Sequence, residues 1–582
     1  MKASNMKFSM TTAGLLVLAA LLNPAAAKGA TPSADLLQTP HNLSVSGGGG
    51  AHDIKSTQED RVCIFCHTPH HATGQTPLWS RELSALNIYA TYISPTLNAD
   101  IEQPRGASKL CLSCHDGTIA LGSLSGGYNL DAGLATMPSD ADPSLNANLG
   151  TDLGDDHPIS FAFPAAAPEL NAPAGWPDAV RLEEGYLECT SCHDPHNNQY
   201  GQFLVVDASL QQDALCTVCH AKNGWNDPDS THRSGGTRYP SVSGAVAAQG
   251  CANCHRSHNA PGKPYMLKAQ QEEDNCYLSC HRDPPYNNVW SAFKDSLYSH
   301  PLSATQAVHQ LDALDGFESV PIPAEKKHVE CVDCHNPHRA GWQGAPHGSD
   351  SPAVAPATVA PEIGGPLRGL RGVDKTGTAA VETAQYEYQV CFRCHAGLWA
   401  DQFTGGSLFR PVRQFESFDE SARFAGANPS YHPVTEDRQG DGRSLLAEYQ
   451  LNMLRIYCID CHAPHGSNQP FMLEAENSGD FPALGSSYPL CFSCHDQDYL
   501  LSPTASPKSA SVALHDFHVN DEKVSCSVCH DPHGPPAGQG AAPGNAAHLV
   551  NFDTNHAGAA PVYDAVARSC SVSCHGTNPQ LY

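Results

Sequence analysis

Twelve pairs of cysteines, each followed at once by a histidine, set the limits on what this 582-residue chain can fold into. Ten pairs read C-x-x-C-H: Cys63/Cys66, Cys111/Cys114, Cys189/Cys192, Cys216/Cys219, Cys251/Cys254, Cys331/Cys334, Cys391/Cys394, Cys458/Cys461, Cys491/Cys494 and Cys526/Cys529. Two carry one more residue between the cysteines, Cys276/Cys280 and Cys570/Cys574. The histidines that follow are His67, His115, His193, His220, His255, His281, His335, His395, His462, His495, His530 and His575. Together the pairs use all 24 cysteines, and histidine is only 32 of 582 residues, so its presence after every pair is not chance. Paired cysteines also build zinc ribbons, redox disulfides, iron–sulfur sites and secreted disulfide scaffolds, but none of these needs that histidine. C-x-x-C-H is the attachment signal for c-type haem, in which both thiols bond to the porphyrin and the histidine becomes the proximal iron ligand. Twelve covalently attached c haems are therefore expected, two of them on the longer C-x-x-x-C-H loop.

The sites alternate strictly between two kinds. In the first kind a second histidine follows three residues after the proximal one, as in CVDCHNPH; these are His70, His196, His258, His338, His465 and His533. The second kind, beginning at Cys111, Cys216, Cys276, Cys391, Cys491 and Cys570, lacks it. A further histidine stands upstream of each pair of sites: His41 or His52, then His157, His232, His300, His432, and His515 or His518. Three of these share a context, DHPIS, SHPLS and YHPVT. One module thus reads H…CxxCHxxH…C(x)xxCH, with two proximal and two candidate distal histidines for two irons. Six modules follow the leader, at 28–150, 151–225, 226–290, 291–400, 401–500 and 501–582.

Within CVDCHNPH, Pro337 fixes φ, lacks an N–H and disfavours helix at the residue before it. His338 is too close along the backbone to reach the far face of the iron that His335 ligates. It is expected to ligate a neighbouring iron, in its own module or an adjoining one; the alternative is a hydrogen bond to a propionate or the backbone. The third module has Ser257 where the others have proline, which makes His258 the exception to watch. Apolar pairs echo after the first-kind sites, at Leu78-Trp79, Phe203-Leu204, Met266-Leu267, Met472-Leu473 and Leu549-Val550. Because leucine or valine replaces methionine in this series, these residues are expected to pack against porphyrin rather than to ligate iron.

The chain opens with a positively charged start, an apolar run from Thr11 to Leu22 and an A-x-A site at Ala25-Ala26-Ala27, which read as a signal peptide over 1–27. No later apolar run approaches membrane-spanning length. Lys and Arg number 33 against 60 Asp and Glu, for a net charge of -27, which makes nucleic acid and anionic lipid poor partners. Only 16% of residues are charged, while there are 48 Gly and 45 Pro, so short helices and long irregular stretches are expected. About 46 mature residues serve each site, too few for a protein-only core. The fold class expected is mostly irregular with short α-helices, an extended array of six two-haem modules whose core is formed largely by stacked haems. Residues 344–377, rich in Pro, Ala and Gly, read as an irregular loop of the fourth module or a bridge between halves, and 116–188 as a long haem-free spacer.

The stretches CIFCHTPH, PLW, CLSCHDGT, KHVECVDCHNPHRA, CFRCH and CSVSCHG resemble the doubled-CXXCH multihaem c-type cytochromes, from about Pro40 to Gly576. That resemblance implies bis-histidine haems in closely stacked chains and electron transfer in the periplasm, across the outer membrane or outside the cell. It favours His41, in HNLS, over His52, and brings His328, in KHVEC, into competition with His300. The partners it implies are other redox proteins (cytochromes, quinol-oxidising complexes, outer-membrane conduits) or extracellular electron acceptors, with self-assembly as a further possibility. A multihaem reductase would need an iron with an open position, against which the surplus of placed histidines argues; a structural subunit of a filament or conduit is the third class.

Overall fold

The computed structural model describes residues 35–581 apart from 49–53, 71, 75–77, 84–87, 95, 98, 143–144, 165, 228–229, 235–245, 279, 283–287, 303–328, 342–359, 398–410, 441, 452, 478–487, 503–507, 510–511, 537–546, 568 and 576–579. The leader at 1–27, His52, His328 and residues 344–359 of the Pro/Ala/Gly-rich stretch lie outside the described residues.

Irregular backbone dominates, with short helices and small sheets between. Single turns serve motifs of both kinds, the second kind at Cys216–Cys219 and Pro489–Phe492. First-kind motifs make a single turn: a 3-10 turn at Cys63–Phe65, Cys189–Ser191 and Cys458–Asp460, or one α turn at Cys331–Cys334 and Cys526–Cys529. The proline two residues past the proximal histidine then disfavours helix just where the turn would continue, and His335 leaves it extended (φ -130, ψ 134). Second-kind motifs have no such proline. The two longest helices, Gly106–His115 and Glu387–His395, each run into a second-kind motif and end on its histidine. The last second-kind site departs from this, with Cys570 on a strand, Ser569–Ser571, and Cys574 on a separate 3-10 turn, Ser573–His575.

Contacts divide the chain into two units, the first made of residues 1–93, 98–219 and 257–266 and the second of 94–97, 220–256 and 267–582. In the first unit, Phe161–Ala162 pairs antiparallel with Tyr186–Leu187. The spacer 116–188 also buries Leu121, Leu134 and Leu153, which join Phe65 and Leu112 in two small clusters. Arg81 is fully buried and donates to the carbonyls of Leu121 (2.7 Å) and Ala120 (2.9 Å). In the second unit, helix Glu387–His395 packs Tyr388 and Phe392 against Phe424 and Val434. The described part of the Pro/Ala/Gly-rich stretch is ordered here: Leu367 and Leu370 pack with Ala384 and Val390, and Gly372–Val373 pairs with Ala380–Val381. The largest of these apolar clusters has five buried residues, and attachment cysteines lie at their edges: Cys66 and Cys114, Cys458, Cys529 and Cys570.

Candidate haem-binding sites

Among the described residues, ten proximal histidines each face a second imidazole across a gap of one size. The ring centroids stand 6.2 Å apart for His67 and His196, His115 and His41, His193 and His258, His255 and His338, and His281 and His232. They stand 6.0 Å apart for His335 and His465, 6.3 Å for His395 and His300, 5.9 Å for His462 and His533, 6.1 Å for His495 and His432, and 6.0 Å for His530 and His515. A metal–imidazole bond of about 2 Å on each side, added to the depth of each ring, sets two axial imidazoles roughly 6 Å apart. The spacing is too wide for ring stacking and fits an iron held between the pair.

The pairs follow a rule of succession. Five second histidines, His196, His258, His338, His465 and His533, each face the first-kind proximal histidine of the module before their own. The upstream histidines His41, His232, His300 and His432 each face the second-kind proximal histidine of their own module. His515 differs from them in facing the first-kind His530. His518 turns its Nδ1 to the Leu514 carbonyl at 2.8 Å. His70 is exposed beside Thr68, which hydrogen-bonds its backbone carbonyl. The His575 side chain lies outside the described residues.

Hydrogen bonds fix which ring nitrogen is free. The Nδ1–H of four upstream histidines donates to the carbonyl of the proline in the next module's CHxPH: His41 to Pro195 (3.1 Å), His232 to Pro337 (2.8 Å), His300 to Pro464 (2.7 Å) and His432 to Pro532. That leaves Nε2 to face the gap. The proline therefore does more than stop a helix: its carbonyl holds one distal histidine while the next residue is another. Where Ser257 replaces proline, the partners change. His157 donates its backbone N–H to Ser257 (2.8 Å), and its Nδ1 lies 3.0 Å from the Pro158 carbonyl.

The apolar echo has a backbone function that the sequence does not reveal. Leu78, Phe203, Met266, Met472 and Leu549 all adopt left-handed backbone, φ 55 to 59. The residue after each pairs as an antiparallel bridge with a proximal histidine: Trp79 with His67, Leu204 with His193, Leu267 with His255, Leu473 with His462 and Val550 with His530. The turn also supplies carbonyls to the proximal Nδ1, from Gln202 to His193, Phe471 to His462 and His548 to His530, each at 2.9 Å. In the fourth module the Pro366 carbonyl, on the ordered end of the 344–377 stretch, takes the same place on His335 at 2.9 Å. Met266 and Met472 thus clasp the backbone, and the histidines they flank, His255 and His462, face His338 and His533 instead.

Burial pulls imidazole pKa values down, and neighbouring imidazoles pull them further. His41, His193, His432, His462 and His465 are lowered to about 4, and His530 to about 3. All are neutral at pH 7, the form that ligates a metal.

Thiols of successive modules meet as well. Cys111 neighbours Cys189, Cys276 neighbours Cys331, Cys391 neighbours Cys458 and Cys491 neighbours Cys526, each bringing a second-kind site to the first-kind site after it. Buried polar groups lock the same junctions. Glu272 Oε2 accepts from the Cys331 N–H (3.2 Å), Glu387 Oε1 from the Ile459 N–H (3.2 Å), and Ser108 Oγ from the Cys189 N–H (2.9 Å). Sequence reading missed them, because Glu, Glu and Ser at these positions show no common pattern.

Most of the attachment cysteines are half-buried, with Cys63, Cys216 and Cys574 exposed. Cys394 and Cys574 are both second thiols of second-kind sites, and they sit in different settings. Cys394 is half-buried in the last turn of helix Glu387–His395. It adds to the rise in the Cys334 thiol's pKa, after burial, Cys391 and Asp333. Cys574 is exposed, with Sγ 4.0 Å from the His556 carbonyl. Cys570 joins a strand and Cys574 lies on the following turn, so the two thiols do not share one helical turn as Cys391 and Cys394 do.

Repeated thiol pairs followed by a histidine, ten of them with a second imidazole opposite, are the pattern of multihaem c-type cytochromes. Three segments, 182–224, 244–285 and 455–499, match the family described as the doubled CXXCH motif, and each holds one site of each kind. The sites at Cys63/Cys66, Cys111/Cys114, Cys331/Cys334, Cys391/Cys394, Cys526/Cys529 and Cys570/Cys574 lie outside these segments. The chain thus carries that motif as multihaem c-type cytochromes do. No curated protein matches it.

Proposed function

We propose that this chain is an exported twelve-haem c-type cytochrome that carries electrons through a file of bis-histidine haems in anaerobic or extracellular respiration. The opposed imidazole pairs are the observation that carries this reading. Each bound haem supplies a one-electron Fe(III)/Fe(II) couple. The chain's own residues hold both axial positions, leaving none for a substrate, which favours electron transfer over a reductase. The thiol contacts between successive sites, together with the glutamates and Ser108 at the same junctions, support six two-haem modules with the haems stacked in sequence order within each unit. His157 and His518 remain as ligands for the second-kind irons of the second and sixth modules.

Among the described residues no helix is long and apolar enough to cross a membrane. With the leader at 1–27, this is compatible with a periplasmic or cell-surface protein. The net charge of -27 favours basic docking faces on partner cytochromes, quinol-oxidising complexes or outer-membrane conduits. The intact mass of the exported protein is expected to equal residues 28–582 plus twelve haems, with a ferric spectrum that is low-spin throughout. A mass short by two haems, with free thiols at Cys276/Cys280 and Cys570/Cys574, would remove the longer loops from the count. A substantial high-spin ferric signal would favour the reductase.

A further inference from the structure

Ten of the histidines facing the haem gaps rest Nδ1 on a backbone carbonyl, while two others face a carboxylate with little exposure to solvent. His258 Nδ1 lies 3.0 Å from Asp156 Oδ1, and the Asp156 side chain is 5% exposed. The same oxygen also accepts from the Asn259 N–H at 3.2 Å, and the other oxygen of Asp156 is buried without a hydrogen-bond partner. His533 Nδ1 lies 2.8 Å from Glu420 Oε2, with the N–H off the line to the oxygen, so that charge acts here more than the hydrogen bond. Glu420 is paired in turn with Arg423 at 3.0 Å, and Arg423 with the buried Asp531. A third carboxylate near a ring, Asp194, stands 3.6 Å from His196, but both side chains are open to solvent, 44% and 65% exposed.

We infer that Asp156 and Glu420 are potential-setting residues, which hold the irons between His193 and His258 and between His462 and His533 more negative than the others. This rests on the bis-histidine reading proposed above. An imidazole whose Nδ1–H leans on a carboxylate gains imidazolate character and becomes a stronger donor through Nε2. A fixed negative charge in a low-dielectric setting also favours the ferric state over the ferrous one. A neutral carbonyl, as at His41 or His300, does neither to the same degree. Each unit of the chain contains one such site, so electrons would settle last on one iron in each.

The sequence does not suggest either residue, since Asp156 and Glu420 stand 102 and 113 positions before the histidines they face. His258, in the one module without the proline, has the better-aligned carboxylate.

The experiment is a spectroelectrochemical titration of the fully loaded protein, comparing wild type with Asp156→Asn and Glu420→Gln. In each variant one haem is expected to move upward by at least a tenfold change in its ferric-to-ferrous ratio at fixed potential, about 59 mV for one electron. The other haems should stay in place and every iron should remain low-spin. Asp194→Asn should leave the curve unchanged, because solvent already screens that pair. Glu420→Gln also breaks the pairing with Arg423; should that variant load fewer haems, Asp156→Asn decides alone. Unchanged titration curves in low-spin Asp156→Asn would overturn the inference, and so would high-spin iron in that variant, since the carboxylate would then be holding the ring in place rather than tuning it. High-spin iron already present in wild type would overturn the bis-histidine reading instead.

Discussion

Replacing His338 with alanine is expected to damage a haem that is not attached to the peptide carrying the mutation. The site at Cys331 and Cys334 keeps His335, whose opposite imidazole is His465, so that iron should be unaffected. The iron that loses a ligand is the one at Cys251 and Cys254, because His255 is the ring that faces His338. It should become high-spin or water-ligated, rise in potential, and bind one equivalent of carbon monoxide per chain when reduced, which wild type should not do. Ring orientation identifies the iron independently. The His255 and His338 planes are nearly parallel, 5° apart, so both rings raise the same iron d orbital and the low-spin signal is rhombic. His232 and His281 cross at 84°, which keeps the two orbitals close in energy and makes the signal strongly anisotropic. His338→Ala should therefore delete a rhombic component, and His232→Ala a strongly anisotropic one. Twelve low-spin haems and no carbon monoxide binding in His338→Ala would show that the second histidine serves the scaffold alone.

A chain produced without haem attachment is expected to have no cooperative unfolding transition. Among the described residues the largest buried apolar cluster has five residues and others have two to four, with only short helices and two- or three-residue strands around them. Segments this small rarely sustain a protein-only core, and metal-dependent domains of similar size are unfolded without the metal. Circular dichroism during a urea titration of the haem-free chain should show gradual change with no midpoint, while the loaded protein unfolds sharply. A sharp transition in the haem-free chain would mean that the small clusters suffice.

The attachment sites were legible because covalent chemistry demands adjacent residues: cysteine spacing and the following histidine need no fold to be recognised. The alternation of two kinds of site, and the need for a second histidine to leave its own iron, also followed from local stereochemistry. Which iron each histidine faces did not, because the partners lie up to 130 positions apart, as His335 and His465 do. The different settings of Cys394 and Cys574 were hidden too, since one extra residue in a motif does not say whether the chain around it turns or extends. The apolar echo was visible as a pattern but read as packing. Its backbone function depends on left-handed φ at residues such as Phe203 and Leu549, which no side-chain type announces outside glycine and asparagine. The fourth module showed no echo at all, since its equivalent carbonyl, Pro366, stands 31 positions after His335 instead of the nine that separate Phe471 from His462. Glu272 and Glu387 carry no local sequence pattern that marks the junctions they lock.

The dipeptide Pro195-His196 has a consequence in time. Its carbonyl holds His41 opposite His115, and its imidazole stands opposite His67, so one short peptide of the second module finishes both haem positions of the first. A chain made from its N-terminus has His67 129 residues before His196. Until that later segment arrives, both sites have a proximal ligand and no settled partner on the other face. The first pair of sites thus waits on a segment made later, as one tooth of a zip waits on the next. A chain cut between the first and second modules would lose no cysteine of the first, yet would leave both of its sites open to whatever ligand the surroundings offered.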